Sequence, residues 1–522
     1  MQHAPRLSDK THTKLYLKRE DMQPVFSFKL RGAYNKIASL TPEELARGVI
    51  CSSAGNHAQG VALSARERGA RAVICMPTTT PEIKVEAVKR LGGEVVLVGD
   101  SYSDTQTYAI TTAEETGMVF VAPYDDPYVI AGQGTIGAEI LRQCPNVDTC
   151  TAIFVAVGGG GLAAGVAAYV KAVRPEIKVY GVEPTGSNAM AMSLAKGELT
   201  TLARVDAFAD GVAVKRVGAE TFRLCQALLD GIVLVSNAEI SGAIKEIFND
   251  TRSIVEPAGA VAVAGALAWT AREEALHNGE PVPGSIVCVT SGANMNFDRL
   301  RLVSELANVG ARSEAILVTT IPEQPGAFRR FANEGFYAKG FDLNVTEFKY
   351  RYGATGTGTG TATTTTGAGA ETTTPSPGLA HVLYSITVAD RDEARRLVDR
   401  LNERGMPTRD ISGVEDAMVH LRHMVGGKSA GVRDEVLFVV QFPERPGALR
   451  EFLDAMIDVN ISMFHYRNSG SDTSSVLVGL QVPGEGRSAA LAICLERLKD
   501  ALHKYTVREL SEDALSAFDL FL

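Results

Sequence analysis

Basic residues are in short supply in this sequence. Lys and Arg total 52 against 61 Asp and Glu, a net charge of −9. The basic footprint of a nucleic-acid-binding protein is therefore missing. The acidic excess is spread along the chain rather than gathered in a tail, and it reads as solubility. Cysteine is scarce too. Seven cysteines in 522 residues are sparse and odd in number, which excludes a disulfide framework, and no Cys-x-x-Cys pair points to zinc. Cys51, Cys75, Cys150 and Cys288 lie in apolar segments and read as buried thiols in a reducing compartment. Residues 1–10 lack the apolar core of a signal peptide. The longest uncharged stretch, residues 149–170, would pass a membrane filter on length alone. Gly158 to Gly161 divide it into a β-rich and an alanine-rich half, so strand, loop and buried helix is the expectation.

What is present is ordinary in bulk, with 45% hydrophobic and 22% charged residues. The length fits two to four domains. Residues 15–300 alternate β-branched runs with helical segments. Residues 73–76, 95–98, 153–157, 179–182 and 286–289 read as strands, and 81–91 as a helix opened by proline. Such alternation implies an open α/β sheet with helices on both faces. After about residue 305 an internal repeat takes over. Pro322-Glu323-Gln324-Pro325-Gly326-Ala327-Phe328 is echoed by Pro443-Glu444-Arg445-Pro446-Gly447-Ala448-Leu449. Asn344-Val345-Thr346-Glu347-Phe348-Lys349-Tyr350-Arg351 is echoed by Asn460-Ile461-Ser462-Met463-Phe464-His465-Tyr466-Arg467. Two blocks repeated in the same order imply two copies of one small α+β module. Residues 353–378 are nearly all Gly, Thr and Ala. They are expected to form a disordered insert within the first copy, because they cannot bury enough apolar surface to order themselves.

Four motifs carry chemistry. Lys29 lies beside Phe26, Phe28 and Leu30 in Ser27-Phe28-Lys29-Leu30-Arg31-Gly32-Ala33. Apolar surroundings lower a lysine's pKa and make its amine nucleophilic, fit for a Schiff base; the structural alternative is a stem that snorkels to the surface. Ser52-Ser53-Ala54-Gly55-Asn56-His57 follows a short apolar run and precedes a helical segment from Ala58. Free N–H groups at such a junction suit a carboxylate, though a plain turn favours the same residues, and His57 reads as structural. Gly158-Gly159-Gly160-Gly161-Leu162 between a strand and a helix reads as a phosphate cradle. It is neither a Walker loop nor the spaced dinucleotide fingerprint. Thr290-Ser291-Gly292-Ala293-Asn294 ends a strand, where a hydroxyl points into the ligand crevice of an open α/β sheet; a strand-ending turn is the plainer alternative.

In this order the four motifs resemble the threonine dehydratase group of fold-type II pyridoxal-phosphate enzymes, over nearly the whole chain. Lys29-Leu30-Arg31-Gly32-Ala33 looks like the dehydratase form, where cysteine and threonine synthases typically carry Lys-Asp-Arg. The doubled C-terminal module resembles the regulatory part of the biosynthetic enzymes of the group. The resemblance implies a tryptophan-synthase-β-like catalytic region, expected at residues 1–305 as two α/β subdomains. A neck would follow at 306–313, then an ACT-like module at 314–416, a connector at 417–433, a second ACT-like module at 434–514 and a tail at 515–522. Lys29 would hold pyridoxal 5′-phosphate, Asn56 would bond its ring hydroxyl, Gly158 to Leu162 its phosphate, and Ser291 its pyridine nitrogen. Ser53, Gly55 and Asn56 would lie near the substrate carboxylate. A serine at the ring nitrogen supplies no negative charge, which suits β-elimination over transamination. The implied reaction is L-threonine to 2-oxobutanoate and ammonia, the first step toward isoleucine.

The resemblance also implies inhibition by isoleucine, relief by valine and a homotetramer. Tyr350 and Tyr466 hold equivalent places in the repeat, and with Arg351 and Arg467 they are effector-site candidates; packing of the tyrosines into a sheet is the structural alternative. No metal, nucleic-acid or membrane partner is expected. The segment before the lysine motif is shorter than the family's usual one. The cytoplasm is the expected compartment, or a plastid stroma if a transit segment is missing. Two other readings stay open: a serine-preferring dehydratase or racemase, and a non-catalytic amino-acid sensor, against which Lys29 argues.

Overall fold

The computed structural model describes residues 1–310, 313–322, 327–335, 343, 345–349, 379–421, 435–443, 448–456, 460–466, 473–481, 492, 496 and 505–519. The chain divides into two compact units, residues 1–311 with 469–473, and residues 312–468 with 474–522. The first unit is built on two sheets. One has six strands in the order Gln2–His3, Lys14–Arg19, Ser285–Thr290, Cys150–Ala156, Lys178–Pro184, Gly231–Val235. Apart from the antiparallel edge pair Gln2–His3 and Lys14–Arg19, its neighbours are parallel. The other sheet runs Glu94–Leu97, Ala72–Met76, Val49–Ser52, Val119–Phe120, all parallel. Parallel strands covered on both faces need continuous apolar runs. Val49–Ser52, Ala72–Met76 and Ser285–Thr290 are buried at every position.

The uncharged stretch at 149–170 resolves as expected into strand Cys150–Ala156, the glycine loop, and a buried helix Gly161–Val173. Among the described residues no helix is long and apolar enough to cross a membrane. The expected helix at 81–91 is Glu82–Arg90, with Pro81 as its N-cap. The amino-terminal segment forms a helix, Pro5–Thr11, whose first N–H groups, on Arg6 and Leu7, donate to the Asp250 carboxylate.

Helix Lys29–Ala38 packs on Asn56–Glu67 and Pro127–Gln143. Glycine makes the second contact feasible, since a Cβ on Gly132 would lie 2.6 Å from the Arg31 carbonyl. Arg31 then pins the helix. Its guanidinium donates to both oxygens of Glu20 and both of Glu139 at 2.7–2.8 Å. Hydrogen bonds from Arg31 and Lys18 hold the Glu139 carboxyl down to about 2.

The second unit holds two four-stranded sheets of the same design. One runs Val345–Lys349, Leu379–Thr387, Glu314–Pro322, Thr408–Asp410; the other runs Asn460–Tyr466, Thr473–Gln481, Glu435–Pro443, Thr506–Glu509. In each the strands stand in the order second, third, first, fourth, and a helix, Ala327–Glu334 or Ala448–Ala455, follows the first strand. Phe331 and Phe452 occupy equivalent helix positions, and each is fully buried in its own core. The repeat in the sequence is thus a repeat in the fold. The expected insert at 353–378 lies outside the described residues.

Three limits differ from expectation. Helix Leu300–Gly310 runs straight through residue 305, because Val303, Leu306, Ala307 and Val309 form an apolar stripe packed against helix Asn237–Thr251. Residues 515–518 are no loose tail. Helix Glu512–Phe518, capped by Ser511, buries Ala514, Ala517 and Phe518. Helix Glu415–Val419 likewise starts before 417 and enters the expected connector.

Candidate active site

The four motifs come together in the first unit. Lys29 is the first residue of its helix and is half-buried, its amine turned inward to donate to the Pro123 carbonyl at 2.7 Å. The Phe28 ring centroid lies 5.4 Å from Nζ. Burial lowers the amine to about 8, opposed by the nearby Glu256 carboxyl. An amine so placed is still mostly protonated at neutral pH but has a far larger neutral fraction than an ordinary lysine, and the inward hydrogen bond argues against a stem that snorkels to the surface.

Ser291 adjoins the lysine through the backbone. Phe28 N–H donates to the Ser291 carbonyl at 3.1 Å, and Ser27 forms an isolated antiparallel bridge with Gly292. The Ser291 hydroxyl is buried and donates to the Ala258 carbonyl at 3.2 Å. Asn56 opens helix Asn56–Glu67 two positions earlier than expected, and no side chain caps that helix. Its amide donates to Glu256 at 2.7 Å. Gly60, one turn on, lies so close to the lysine helix that a Cβ would meet Lys29 C at 3.2 Å. Ser53 Oγ accepts from Gly55 N–H at 3.2 Å, so the hydroxyl shapes the turn. His57 is structural, as expected. It is buried against the Val121 carbonyl at 2.8 Å, and desolvation holds it near 3, hence neutral.

The glycine loop ends strand Cys150–Ala156 and starts helix Gly161–Val173, whose N-cap, Gly160, has φ +95° and offers no side-chain cap. The first-turn N–H groups of such a helix have no intrahelical acceptor. A Cβ on Gly159 would fall 2.2 Å from the Tyr124 ring, one on Gly158 2.9 Å from Val212 Cα, and one on Gly160 2.7 Å from Met190 Cε. Thr221 Oγ1 donates to the Gly159 carbonyl at 2.6 Å. Bare backbone donors in a cradle that side chains would fill suit a phosphate, and a buried lysine of lowered pKa suits its aldehyde. The residues present therefore fit pyridoxal phosphate.

Sequence reasoning missed the segment that joins these parts. Pro123 accepts from Lys29, Tyr124 lies against Gly159, and Asp125 accepts from the first N–H groups of helix Ala219–Leu228. Glu256 was missed as well. Its signal was visible, as the sole charged residue between Arg252 and Arg272. Asn294 was noticed in its motif without a role. A separate surface groove of about 610 Å³ is lined by Pro24, Leu30, Tyr34, Leu63, Glu67 and Thr135 among others. It contains none of the site residues.

The pyridoxal-phosphate dependent enzyme family matches residues 1–292. The C-terminal regulatory domain of threonine dehydratase matches residues 305–364 and 426–518. The biosynthetic L-threonine dehydratase of Burkholderia multivorans is 52% identical over 92% of this chain and 89% of its own length. The chain belongs to the threonine dehydratase family. A chloroplastic biosynthetic threonine dehydratase of Solanum lycopersicum is 50% identical over 96% of this chain and 78% of its own length. The solved processed threonine deaminase isoform 2 of that plant covers 59% of this chain and 83% of its own, at 50% identity and a TM-score of 0.57. Maize serine racemase covers 58% of this chain and 90% of its own, at 34% identity and a TM-score of 0.54. This family member thus pairs a pyridoxal-phosphate region with a regulatory one. Of the effector candidates, Tyr466 is the last residue of strand Asn460–Tyr466; Tyr350, Arg351 and Arg467 lie outside the described residues.

Proposed function

We propose that this protein converts L-threonine to 2-oxobutanoate and ammonia as the entry step to isoleucine, and that isoleucine inhibits it while valine relieves the inhibition. The observation that carries the reading is the buried Lys29 amine, gathered with Asn56, the Gly158–Gly161 loop and Ser291 in a chain of this family. Bound pyridoxal phosphate supplies a sink for the electron pair left when the Cα–H bond breaks. The chain supplies the rest. N–H groups of Gly158 to Leu162 would hold the phosphate, and Asn56 would donate to the ring hydroxyl. Ser291 would meet the ring nitrogen without lending it negative charge. Ser53, Gly55 and Asn56 would lie near the substrate carboxylate, with the Ser53 N–H committed to the Cys75 carbonyl and the Gly55 N–H to Ser53 Oγ. The Lys29 amine, kept near 8 by burial, takes the Cα proton. The β-hydroxyl leaves as water, balanced by the proton taken from Cα, and the enamine released takes up water to give 2-oxobutanoate and ammonia.

We assign catalysis to the unit ending at Ala311 and effector binding to the paired modules that follow, with Tyr350, Arg351, Tyr466 and Arg467 as effector residues. We also assign a homotetramer and a reducing compartment, cytoplasm or plastid stroma. The six described cysteines, all buried and unbridged, support the compartment. The deciding experiment is an absorbance spectrum of the purified protein before and after L-threonine, with L-serine in parallel and 2-oxobutanoate assayed. A violet-edge band that threonine perturbs, with product forming, supports the reading. Faster turnover of serine would move the substrate to serine. A folded protein with no band after added pyridoxal phosphate would leave a sensor.

A further inference from the structure

Asn56 is gripped from both sides by groups that neither the motifs nor the family match assigns. Asn294 Nδ2 donates to the Val25 backbone carbonyl and to Asn56 Oδ1, each at 2.7 Å. Asn56 Nδ2 in turn donates to Glu256 Oε1 at 2.7 Å. The chain of bonds has one direction. A backbone carbonyl can only accept, so the amide nitrogen of Asn294 must face Val25. The second N–H of that nitrogen then goes to Asn56, which must present its oxygen there and its nitrogen to Glu256. The amide-flip ambiguity of Asn56 is removed by a carbonyl two bonds away. One N–H of Asn56 is spent on Glu256, and the other is left to be aimed at a ligand.

Glu256 is built into this place. It is 4% exposed and stands at the N-cap of helix Pro257–Leu276, yet its side chain does not cap that helix. Gly292 makes room for it. A Cβ there would lie 2.5 Å from Glu256 Oε1 and 3.3 Å from Asn56 Nδ2. Burial, helped by Asp210, raises the carboxyl to about 8, against the Asn56 hydrogen bond and the charges of Arg299 and Lys84. Near neutral pH the group is therefore largely an uncharged acceptor rather than a counter-charge.

We infer that Asn294 and Glu256 are positioning residues that lock Asn56 as a hydrogen-bond donor toward the ring hydroxyl of the cofactor. The inference rests on the role given to Asn56 above. A fixed N–H favours the ionised form of the oxygen it meets. Losing the lock therefore weakens cofactor binding and raises the pH at which the bound cofactor's absorption band changes.

The test titrates full-length apoprotein with pyridoxal phosphate and follows the band of the bound cofactor across pH, with circular dichroism as the check on folding. Asn56→Ala is the reference. Asn294→Asp cannot donate to Asn56, and Glu256→Leu cannot accept from it. Each is expected to weaken cofactor binding by about tenfold, one lost hydrogen bond, and to move the band's pH midpoint the way Asn56→Ala does. Glu256→Gln keeps an acceptor oxygen without a titrating proton and is expected to restore wild-type affinity. If Asn56→Ala changes neither affinity nor spectrum, the role of Asn56 falls. If Asn56→Ala changes both while Asn294→Asp and Glu256→Leu change neither, that role stands and the positioning inference is overturned. If Glu256→Gln behaves like Glu256→Leu, the lock does not run through Glu256's acceptor oxygen. Should Glu256→Leu fail to fold, Asn294→Asp decides alone.

Discussion

The two units of this protein expose their functions differently. In the first, the working groups sit at the ends of strands and the starts of helices, and several are residue types with few other uses in such places. A lysine buried beside Phe28, and four consecutive glycines whose missing Cβ atoms would strike Tyr124, Val212 and Met190, are hard to explain as packing alone. In the second, two sheets of identical strand order state the architecture twice, but the effector residues proposed there are tyrosines and arginines of ordinary type. Chemistry that must desolvate an amine or wrap a phosphate leaves a mark in residue types. Recognition of a small amino acid by a repeated module leaves its mark mainly in symmetry.

Several changes would break or sharpen that contrast. Lys29→Ala should have the largest effect, lowering turnover by roughly 10²–10⁴-fold or more and removing the cofactor band. Isoleucine binding measured by calorimetry should survive; its loss would show that the units are not separable in function. Phe331→Ala or Phe452→Ala should cost roughly 3–5 kcal/mol of stability in the affected module, read as an earlier thermal transition. Uninhibited threonine turnover should continue with the isoleucine response gone. Gly159→Ala forces a methyl into the Tyr124 ring and should weaken cofactor binding by about 1–3 kcal/mol, seen in pyridoxal phosphate titration. Tyr466→Phe should shift the isoleucine inhibition midpoint by a coupling of about 1 kcal/mol; an unchanged midpoint would return Tyr466 to sheet packing.

The smallest effect is a pH dependence. The buried amine of Lys29 loses its proton at about 8 rather than at the ordinary lysine value, and the neutral amine is the nucleophile. Reloading of apoprotein with pyridoxal phosphate should accelerate as pH rises toward about 8 and level off above it. The sign of the stability linkage follows from the same shift. Between about 8 and the ordinary lysine pKa the unfolded chain holds a proton that the folded apoprotein does not, so this group adds stability as pH rises through that window.

The sequence showed the outline of the catalytic site through Lys29, the glycine loop, Asn56 and Ser291, and it showed the doubling of the second unit through its repeat. It hid groups whose roles depend on approach rather than identity. The Pro123 carbonyl receives the lysine, yet any residue has a carbonyl. Tyr124 is one aromatic among fourteen tyrosines until the fold lays it against Gly159. Glu256 was legible as an isolated charge at the head of an apolar helix, but its partner Asn56 lies 200 positions away. The limit expected at 305 was drawn from cues of the same local kind. Glycine loops stop before it, while the amphipathic stripe Val303, Leu306, Ala307, Val309 continues to pack on the first unit.

The bond from Asn294 to the Val25 carbonyl spans 269 positions, and strand Ser285–Thr290 pairs along its whole length with Lys14–Arg19. The amino-terminal strand therefore waits for its partner until nearly the whole first unit has left the ribosome, and closure of so long a loop is slow. Until then Lys14–Arg19 carries an unpaired strand edge, and Lys14, Lys18 and Arg19 on it are charges of the kind that discourage mispairing. The site, with Ser291 just beyond strand Ser285–Thr290, is therefore complete only once the chain has been made past residue 294.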